Sequence, residues 1–502
     1  MTTPQTKDRT KFPDPVYAST VLEPLFDGAK RHHARALQKI DRAHLLMLVE
    51  TGIVPTAQGG RIAAALEAIS SEIEPGELSY TGEVEDFFFL MEKELKTRVG
   101  PDLGGRLHTA RSRNDIDHTL FKLGLKERID ALLTKSRALL AALIETAERD
   151  KATLIVAYTH GQPAQPSTYG HYLGAVIEIL IRDIERIEAA RTIVDRSSMG
   201  AAAITTSGFP IDRHRVAHLL GFAEPLQNSY SCIAAVDYVT SVYGALELMF
   251  LHLGRPIQDF QFWSSFEVGQ LYLPNAFVQI SSIMPQKRNP VPFEHLRHLA
   301  SQAVGRARAV LDVMHNTPFT DMNDSEGETQ DMGYQAFDVA ERVLDLLAAV
   351  VRAAEIDPRR VAVNLRRSCV TITELADTLV RREGLSFRQA HEIAAVVARS
   401  VVAMDGDLSG DGYAPFLAAF EEATGRAPGI DANTFKTIVS AENFVAVRER
   451  FGGPGTTALE AAIAGYRRDE AALAARAEER ATREADAAKE LEQKIAELAG
   501  GA

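Results

Sequence analysis

The sequence is poor in the residues that hold small extracellular proteins together. Its 502 residues include two cysteines, Cys232 and Cys369, and one tryptophan. Two cysteines provide neither a disulfide framework nor the paired spacing of a zinc site. We therefore expect two buried, free thiols in a reducing compartment.

Long hydrophobic runs and a secretory leader are also lacking. No uninterrupted run of about 18 apolar residues occurs, so the sequence predicts no membrane-spanning helix. Residues 1–16 are polar and interrupted by proline, without the apolar centre of a signal peptide. These absences predict a soluble, cytoplasmic protein with no membrane partner.

Positive charge is not in excess. Lysine and arginine number 55 against 68 aspartates and glutamates, which leaves a net charge of -13. This balance argues against nonspecific binding to nucleic acid or to an anionic membrane. It does not exclude a small anionic substrate, because a pocket can be locally basic.

The sequence does contain long stretches in which apolar residues recur at the spacing of a helix. Residues 118–149 carry leucine and isoleucine at helical spacing, with no proline and no glycine after Gly124. That pattern predicts a helix about 45 Å long. Further long helices are predicted over 169–194, over 231–265 with an interruption near Pro256, and over 291–315. Such lengths exceed those of ordinary globular helices and indicate a long bundle.

The fold class predicted is mostly α, with three helical domains. They are an N-terminal helical domain at 1–116, a central long-helix bundle at 117–365 and a C-terminal helical domain at 366–502. Residues 1–28 read as an irregular arm and 317–333 as a polar loop. No alternating strand pattern extends over more than a few residues.

Three polar breaks interrupt the apolar helices, at 107–115, 158–171 and 279–294. Loops held by a rigid scaffold are where binding groups concentrate. Together the three breaks offer hydroxyl, imidazole, amide and cationic groups that suit binding of carboxylates and movement of a proton. Their spacing in the sequence does not show whether they meet in space.

These breaks carry a resemblance to a known family. Residues 107–115, LHTARSRND, resemble a motif of argininosuccinate lyases, and residues 159–166, THGQPAQP, resemble their second conserved region. Residues 281–289, SSIMPQKRN, resemble the signature of the whole fumarase/aspartase superfamily. Three motifs in family order with family-like spacing are highly specific, and weaker similarity extends over most of the chain.

The resemblance implies an architecture and a reaction. The expected assembly is a homotetramer whose long helices form one shared 20-helix bundle, with each active site drawn from three subunits. The expected reaction is the reversible β-elimination of an amine from a small-molecule substrate, a succinyl compound, to give fumarate. No cofactor and no metal are implied.

It also implies roles for individual residues. Ser281 would be the catalytic base, Lys287 would stabilise the aci-carboxylate intermediate, and His160 would assist the departing group with Glu294 as its carboxylate partner. The expected substrate-binding residues are Ser112, Arg113, Asn114, Thr159, Ser282, Met284 and Asn289.

Departures from the family motifs bear on the substrate. The usual glycine before the two serines is Ile280, and a family tyrosine and glutamine fall at Asp321 and Glu326. Added acids near the amine pocket favour a cationic diamine, so the main prediction is a lyase acting on ethylenediamine-N,N'-disuccinate. The alternatives are an argininosuccinate lyase of arginine biosynthesis and, outside enzymes, an inactive structural tetramer of the same fold.

Overall fold

A computed structural model describes residues 12–501 and is built mainly of helices, which confirms the mostly α prediction. The N-terminal helices are short or of ordinary length, and Asp86 caps the fifth by accepting a hydrogen bond from the Phe89 N–H. They are α1 (Pro15–Tyr17), followed by a π-helical turn (Ala18–Leu22), α2 (Glu23–His32), α3 (Ala34–Glu50), α4 (Thr56–Glu72), α5 (Phe87–Val99) and α6 (Pro101–Gly105).

Five long helices form the centre of the molecule. They are α7 (Arg113–Arg149), α8 (Tyr169–Val194), α11 (Asp237–Trp263), α12 (Val291–Met314) and α13 (Gly327–Ala353), and the short α9 (Arg213–Leu219) and α10 (Ser231–Ala234) lie between them in sequence. Contacts join α7 to α8, α8 to α11, α11 to α12, α12 to α13 and α13 back to α7. The five helices therefore close into a bundle, and the loops at its ends carry the motifs.

The C-terminal part is helical as well. It consists of α14 (Pro358–Ser368), α15 (Ile372–Glu383), α16 (Phe387–Ala403), α17 (Leu408–Asp411), α18 (Tyr413–Thr424), α19 (Ala432–Ile438), α20 (Ala441–Ala446) and α21 (Thr456–Gly500). Residues 369–439 bury a core of their own, whereas α21 returns to pack along α4, α7 and α8. The predicted division into three domains stays a prediction.

Short strands pair at the loops. They are β1 (Leu154–Thr159) with β2 (Gln162–Thr168), β3 (Arg196–Ser197) with β4 (Glu224–Pro225), β5 (Leu271–Tyr272) with β8 (Glu355–Ile356), and β6 (Gln279–Ile280) with β7 (Arg288–Asn289). All pairs are antiparallel except β3 with β4. The β1–β2 hairpin was not predicted, and neither was the hairpin that frames the serine motif.

Three local predictions are corrected by the structure. The arm predicted over 1–28 is helical from Pro15 onward, and its residues 1–11 lie outside the described part of the chain. Helix α11 continues through Pro256, because burial of Leu253, Ile257 and Phe260 outweighs the loss of one backbone hydrogen bond. The polar loop predicted to 333 ends earlier, where α13 begins at Gly327.

One helical stretch has the length and composition of a membrane span. Ser231–Trp263 passes that test, which the core helix of a soluble protein passes too. In the structure Val239, Leu246 and Leu253 of α11 are buried in the main core. The test is therefore weak evidence for a membrane here.

Candidate active site

The first motif lies at the start of α7. Ser112 precedes the helix in an extended conformation, and its backbone N–H donates to Oδ1 of Asp115 at 2.7 Å. Oδ2 of the same buried carboxylate accepts the N–H groups of Gly200 (2.9 Å) and Ala202 (3.1 Å). Burial raises the pKa of Asp115, against these three N–H donors, which lower it. Asp115 thus fixes the helix start to a neighbouring loop.

The side chains on this first turn are already engaged. Arg113 donates to Asp86 (2.7 Å) and Glu85 (3.1 Å), and its guanidinium lies over the Phe89 ring, 5.0 Å from the centroid. Asn114 accepts from the Ser112 hydroxyl at 2.8 Å. The helix start therefore presents the three predicted substrate-binding residues as one preorganised group.

The second motif forms the turn of the β1–β2 hairpin. Thr159 pairs with Gln162, so His160 and Gly161 are the two turn residues, with φ of 53° and 72°. Positive φ at both positions is the signature of a two-residue hairpin turn of type I′, in which glycine is favoured second. His160 is exposed at the tip, and a histidine held in this region is uncommon outside functional sites.

The serine motif lies in the loop between β6 and β7. Ser281 follows β6 directly, and its Oγ accepts hydrogen bonds from the N–H groups of Met284 (3.0 Å) and Ile283 (3.3 Å). Donors aimed at a hydroxyl oxygen favour its deprotonated form. Position 280, where the family has glycine, is extended strand here, a conformation that isoleucine adopts without strain.

The remaining predicted residues surround this loop. Ser282, Met284 and Lys287 are exposed in it, Asn289 is half-buried in β7, and Glu294 is exposed in the first turn of α12. Among residues 12–501 no hydrogen bond or ion pair joins the serine loop to His160 or to Asn114. Within the described residues no hydrogen bond or ion pair joins His160 to Glu294 either, and the site assignments stay predictions.

A cluster of acids beside Asn114 was only partly foreseen. The Nδ2 of Asn114 donates to Oδ2 of Asp321 at 2.6 Å, and Nε2 of His118 lies 3.3 Å from Oδ1 of the same carboxylate. Burial, then the nearby carboxylates of Glu326 and Asp86, raises the pKa of Asp117 well above its usual range. No role was predicted for Asp117 or His118.

Glu326 provides a prediction about stability and pH. Burial, followed by the Asp321 carboxylate, raises its pKa from 4.5 to about 7. The folded protein thus holds this proton better than the unfolded chain, so the stabilising contribution is full below about pH 4.5 and lost as pH rises through 7. Glu326→Gln should raise the unfolding free energy by about 1–3 kcal/mol at pH 8 and leave it unchanged at pH 4.5.

Thermal unfolding at the two pH values measures this effect. Glu328→Gln is the matched control, since Glu328 is exposed in the first turn of α13 and its substitution should change the melting temperature little at either pH. A melting temperature for Glu326→Gln below that of the wild type at pH 8 would show that the charge is stabilising.

Two residues outside the predicted site have structural contacts. Arg111, which lies in the first motif, is buried and donates to Asp41 at 2.6 Å, so it braces the loop. Nε2 of His171 is 3.0 Å from the Gly452 carbonyl oxygen, and its Nδ1 is 2.9 Å from the Ser167 hydroxyl, so both ring nitrogens have partners within the chain. No group of three His, Cys, Asp or Glu side chains within residues 12–501 is arranged to hold a metal.

Comparison with known proteins places the chain in a family. Residues 30–305 match the family described as lyase, and residues 369–446 match the argininosuccinate lyase C-terminal family. The chain is 69% identical to argininosuccinate lyase 2 of Agrobacterium fabrum over 99% of both chains. It is 36% identical to an argininosuccinate lyase of Methanoculleus marisnigri over 88% of both.

Among solved structures the chain is similar to a variant of EDDS lyase with bound fumarate. The TM-score is 0.85 at 25% identity, covering 98% of this chain and 97% of the other. EDDS lyase in complex with formate gives the same TM-score at 95% coverage of each. The fold is therefore shared, while the sequence is far more similar to the Agrobacterium fabrum relative.

The prediction that ethylenediamine-N,N'-disuccinate is the substrate is wrong. The 69% identity over 99% of the chain overturns it and supports the alternative, argininosuccinate lyase. The physical reason is that the acids Asp321 and Glu326 indicate only that the leaving group is positively charged. A guanidinium carries a positive charge, just as a diamine does.

Other expectations drawn from the resemblance are confirmed by the same comparisons. The chain is an enzyme, a carbon–nitrogen lyase that releases fumarate, and not an inactive structural protein. It belongs to the fumarase/aspartase superfamily of lyases and, within it, to the argininosuccinate lyase-like branch.

Proposed function

We propose that this enzyme is an argininosuccinate lyase, which cleaves argininosuccinate to fumarate and arginine. The observation that carries the proposal is the 69% identity to argininosuccinate lyase 2 over 99% of both chains. That similarity covers the loop at 321–327 as well as the serine motif, so it bears on the amine half of the substrate and on the succinyl half.

The chemistry proposed begins with Ser281. Its oxygen would take the proton from the carbon beside a substrate carboxylate, and the electron pair would move into that carboxylate as an aci-carboxylate. Lys287 and Asn289 would bind this charge, which should supply much of the transition-state stabilisation. Collapse of the intermediate would break the C–N bond and return the electron pair to form fumarate. The departing guanidino nitrogen would gain a proton.

The charge around Asn114 suits this leaving group. Asp86, Asp117, Asp321 and Glu326 interact with one another through their charges, and Arg113 is the cation that acts on this group of acids. A planar guanidinium offers several N–H donors that carboxylates accept in pairs. The carboxyl oxygens of these acids therefore support binding of a substrate whose departing end is a guanidinium, since a bound cation would favour their charged forms.

We also propose a cytoplasmic homotetramer with composite sites. Five central helices in each of four chains would give the 20-helix bundle expected for the superfamily. Leu248, Leu251 and Phe262 on α11 and Val313 on α12 are exposed apolar side chains along these helices, as expected of surfaces that pack against other subunits. The lack of a hydrogen bond or ion pair between His160 and Glu294 in the part of the chain that the structure describes supports the same arrangement.

Mixing inactive variants tests the composite site. Ser281→Ala and His160→Asn subunits, each inactive alone, should regain part of the activity when refolded together, because some hybrid sites receive both intact regions. Ser281→Ala mixed with Lys287→Met is the matched control and should stay inactive, since both changes lie in one region. No recovery in the first mixture would contradict sites built from several subunits.

Product analysis tests the proposed reaction itself. Argininosuccinate should yield fumarate and arginine in a one-to-one ratio, and added fumarate plus arginine should yield argininosuccinate. Neither product appearing from argininosuccinate, with the protein folded, would overturn the proposed function.

A further inference from the structure

A buried histidine lies behind one of the predicted substrate-binding residues. The His118 side chain, on α7, has 0% exposure, and its Nδ1 is 3.0 Å from the hydroxyl of Tyr238 on α11. Its other ring nitrogen, Nε2, is 3.3 Å from Oδ1 of Asp321. The His118 ring therefore lies between Tyr238 in the bundle and Asp321 in the loop that precedes α13.

Asp321 connects this histidine to Asn114. The Asn114 Nδ2 donates to Oδ2 of Asp321 at 2.6 Å, while Oδ1 of Asn114 accepts from the Ser112 hydroxyl at 2.8 Å. These two contacts fix which terminal atom of the amide is nitrogen and which is oxygen, because a flipped amide would place its oxygen against the Asp321 carboxylate, which is also an acceptor. One N–H of Asn114 points to Asp321, and the second is left for a substrate carboxylate.

Electrostatics alone would not keep Asp321 in this place. The carboxylates of Glu326 and Asp117 lie near enough to interact with its charge, and like charges repel. Asn114 donates a hydrogen bond to Asp321, and the His118 imidazole lies at ion-pair distance from the same carboxylate, 3.3 Å, without a hydrogen bond between the two atoms. The His118 ring is itself held by the contact between its Nδ1 and the Tyr238 hydroxyl.

We infer that His118 is a positioning residue, which holds Asp321 against Asn114 and so sets the orientation of the Asn114 amide for the substrate. His118 itself touches no substrate. Its effect reaches the site through Asp321, which links the loop at 321–327 to the start of α7 in the same chain.

The first test is His118→Ala. It should raise both the dissociation constant for fumarate and the KM for the substrate by about tenfold, as expected for one misdirected hydrogen-bond donor. The value of kcat should fall by less than about threefold. His118→Gln, which restores an N–H donor near Asp321, should recover most of the loss.

The two measurements distinguish failure of this inference from failure of the proposed function. Only the KM measurement rests on the proposed function. The dissociation constant for fumarate does not depend on which amine the enzyme releases. Should argininosuccinate not be cleaved while His118→Ala weakens fumarate binding, the inference stands and the proposed substrate fails. Unchanged fumarate binding in His118→Ala, with argininosuccinate cleaved by the wild type, overturns the inference alone.

A double-mutant cycle gives the sharpest discrimination. If His118 acts through Asp321, the double variant His118→Ala/Asp321→Ala should bind fumarate no more weakly than Asp321→Ala alone. Effects that multiply instead would show that His118 acts independently, which overturns the inference. Tyr238→Phe, which removes one hydroxyl and keeps the ring, replaces His118→Ala as the test variant should His118→Ala fail to fold. It should weaken fumarate binding in the same direction by a smaller factor.

His33→Ala is the matched control for loss of a buried imidazole. The His33 ring packs against Phe121 and Tyr334 and makes no contact with Asn114 or Asp321 in the described structure. It should lower the melting temperature and leave the fumarate dissociation constant unchanged. An equal weakening of fumarate binding in both variants would assign the effect to lost packing and would overturn the inference.

Discussion

Replacement of Ser281 by alanine should reduce kcat by at least about a thousandfold while the fold and fumarate binding are kept. A positioned general base contributes roughly 10²–10⁴ to the rate, and alanine carries no group that could take the proton. Ser281 is half-buried in an irregular loop outside the bundle core, so its loss should not change the melting temperature. Fumarate release followed by absorbance measures the effect.

The adjacent serine is the matched control. Ser282→Ala removes the same atoms from the next position, yet Ser282 is predicted to bind a carboxylate, so its main effect should be a higher KM. If Ser281→Ala keeps more than about a tenth of the wild-type kcat, or if Ser282→Ala is the more damaging change, Ser281 is not the base.

Replacement of Lys287 by methionine should have the second largest effect, a fall in kcat of about 10²–10³. That range is the usual loss when one preorganised donor to developing negative charge is removed. Lys287 is exposed in the serine loop and has no ion-pair partner within the described residues, so its charge is free to meet substrate. Steady-state kinetics with circular dichroism as a folding check measures the change.

Lys287→Arg separates charge from geometry. It keeps the positive charge but replaces a compact ammonium with a wider, planar group, so it should recover only part of kcat. Equal activity of Lys287→Met and the wild type would remove Lys287 from the catalytic group. Equal loss in Lys287→Arg and Lys287→Met would show that the fit of the ammonium, and not charge alone, decides the rate.

The long helices were predictable because their signal is local and continuous. The 169–194 prediction matches α8, and α12 was predicted within one residue, since leucine and isoleucine recur on their buried faces. The β1–β2 hairpin was missed because prolines at 163 and 166 argue against a strand, and because its stability comes from packing at the bundle end. His160-Gly161 was a usable turn signal, as its positive φ values show.

The site was predictable to a different degree in its two halves. The serine loop, His160 and the start of α7 were proposed from three motifs, because their chemistry is tied to particular residue types, and these assignments stay predictions. The choice of amine could not, because Asp321 and Glu326 indicate a positive charge but not the shape of its carrier. The link from Asn114 through Asp321 to His118 joins residues more than 200 positions apart and needs coordinates to be seen.

The most direct test of the central claim is a comparison of kcat/KM for two substrates on the same enzyme. Fumarate formation should be measured with argininosuccinate and with ethylenediamine-N,N'-disuccinate under identical conditions. Argininosuccinate lyase activity predicts a kcat/KM for argininosuccinate at least about 100-fold higher, since a site built for a guanidinium leaves its carboxylates poorly paired with a diamine. A kcat/KM for the disuccinated diamine equal to or above that for argininosuccinate would contradict the proposed function.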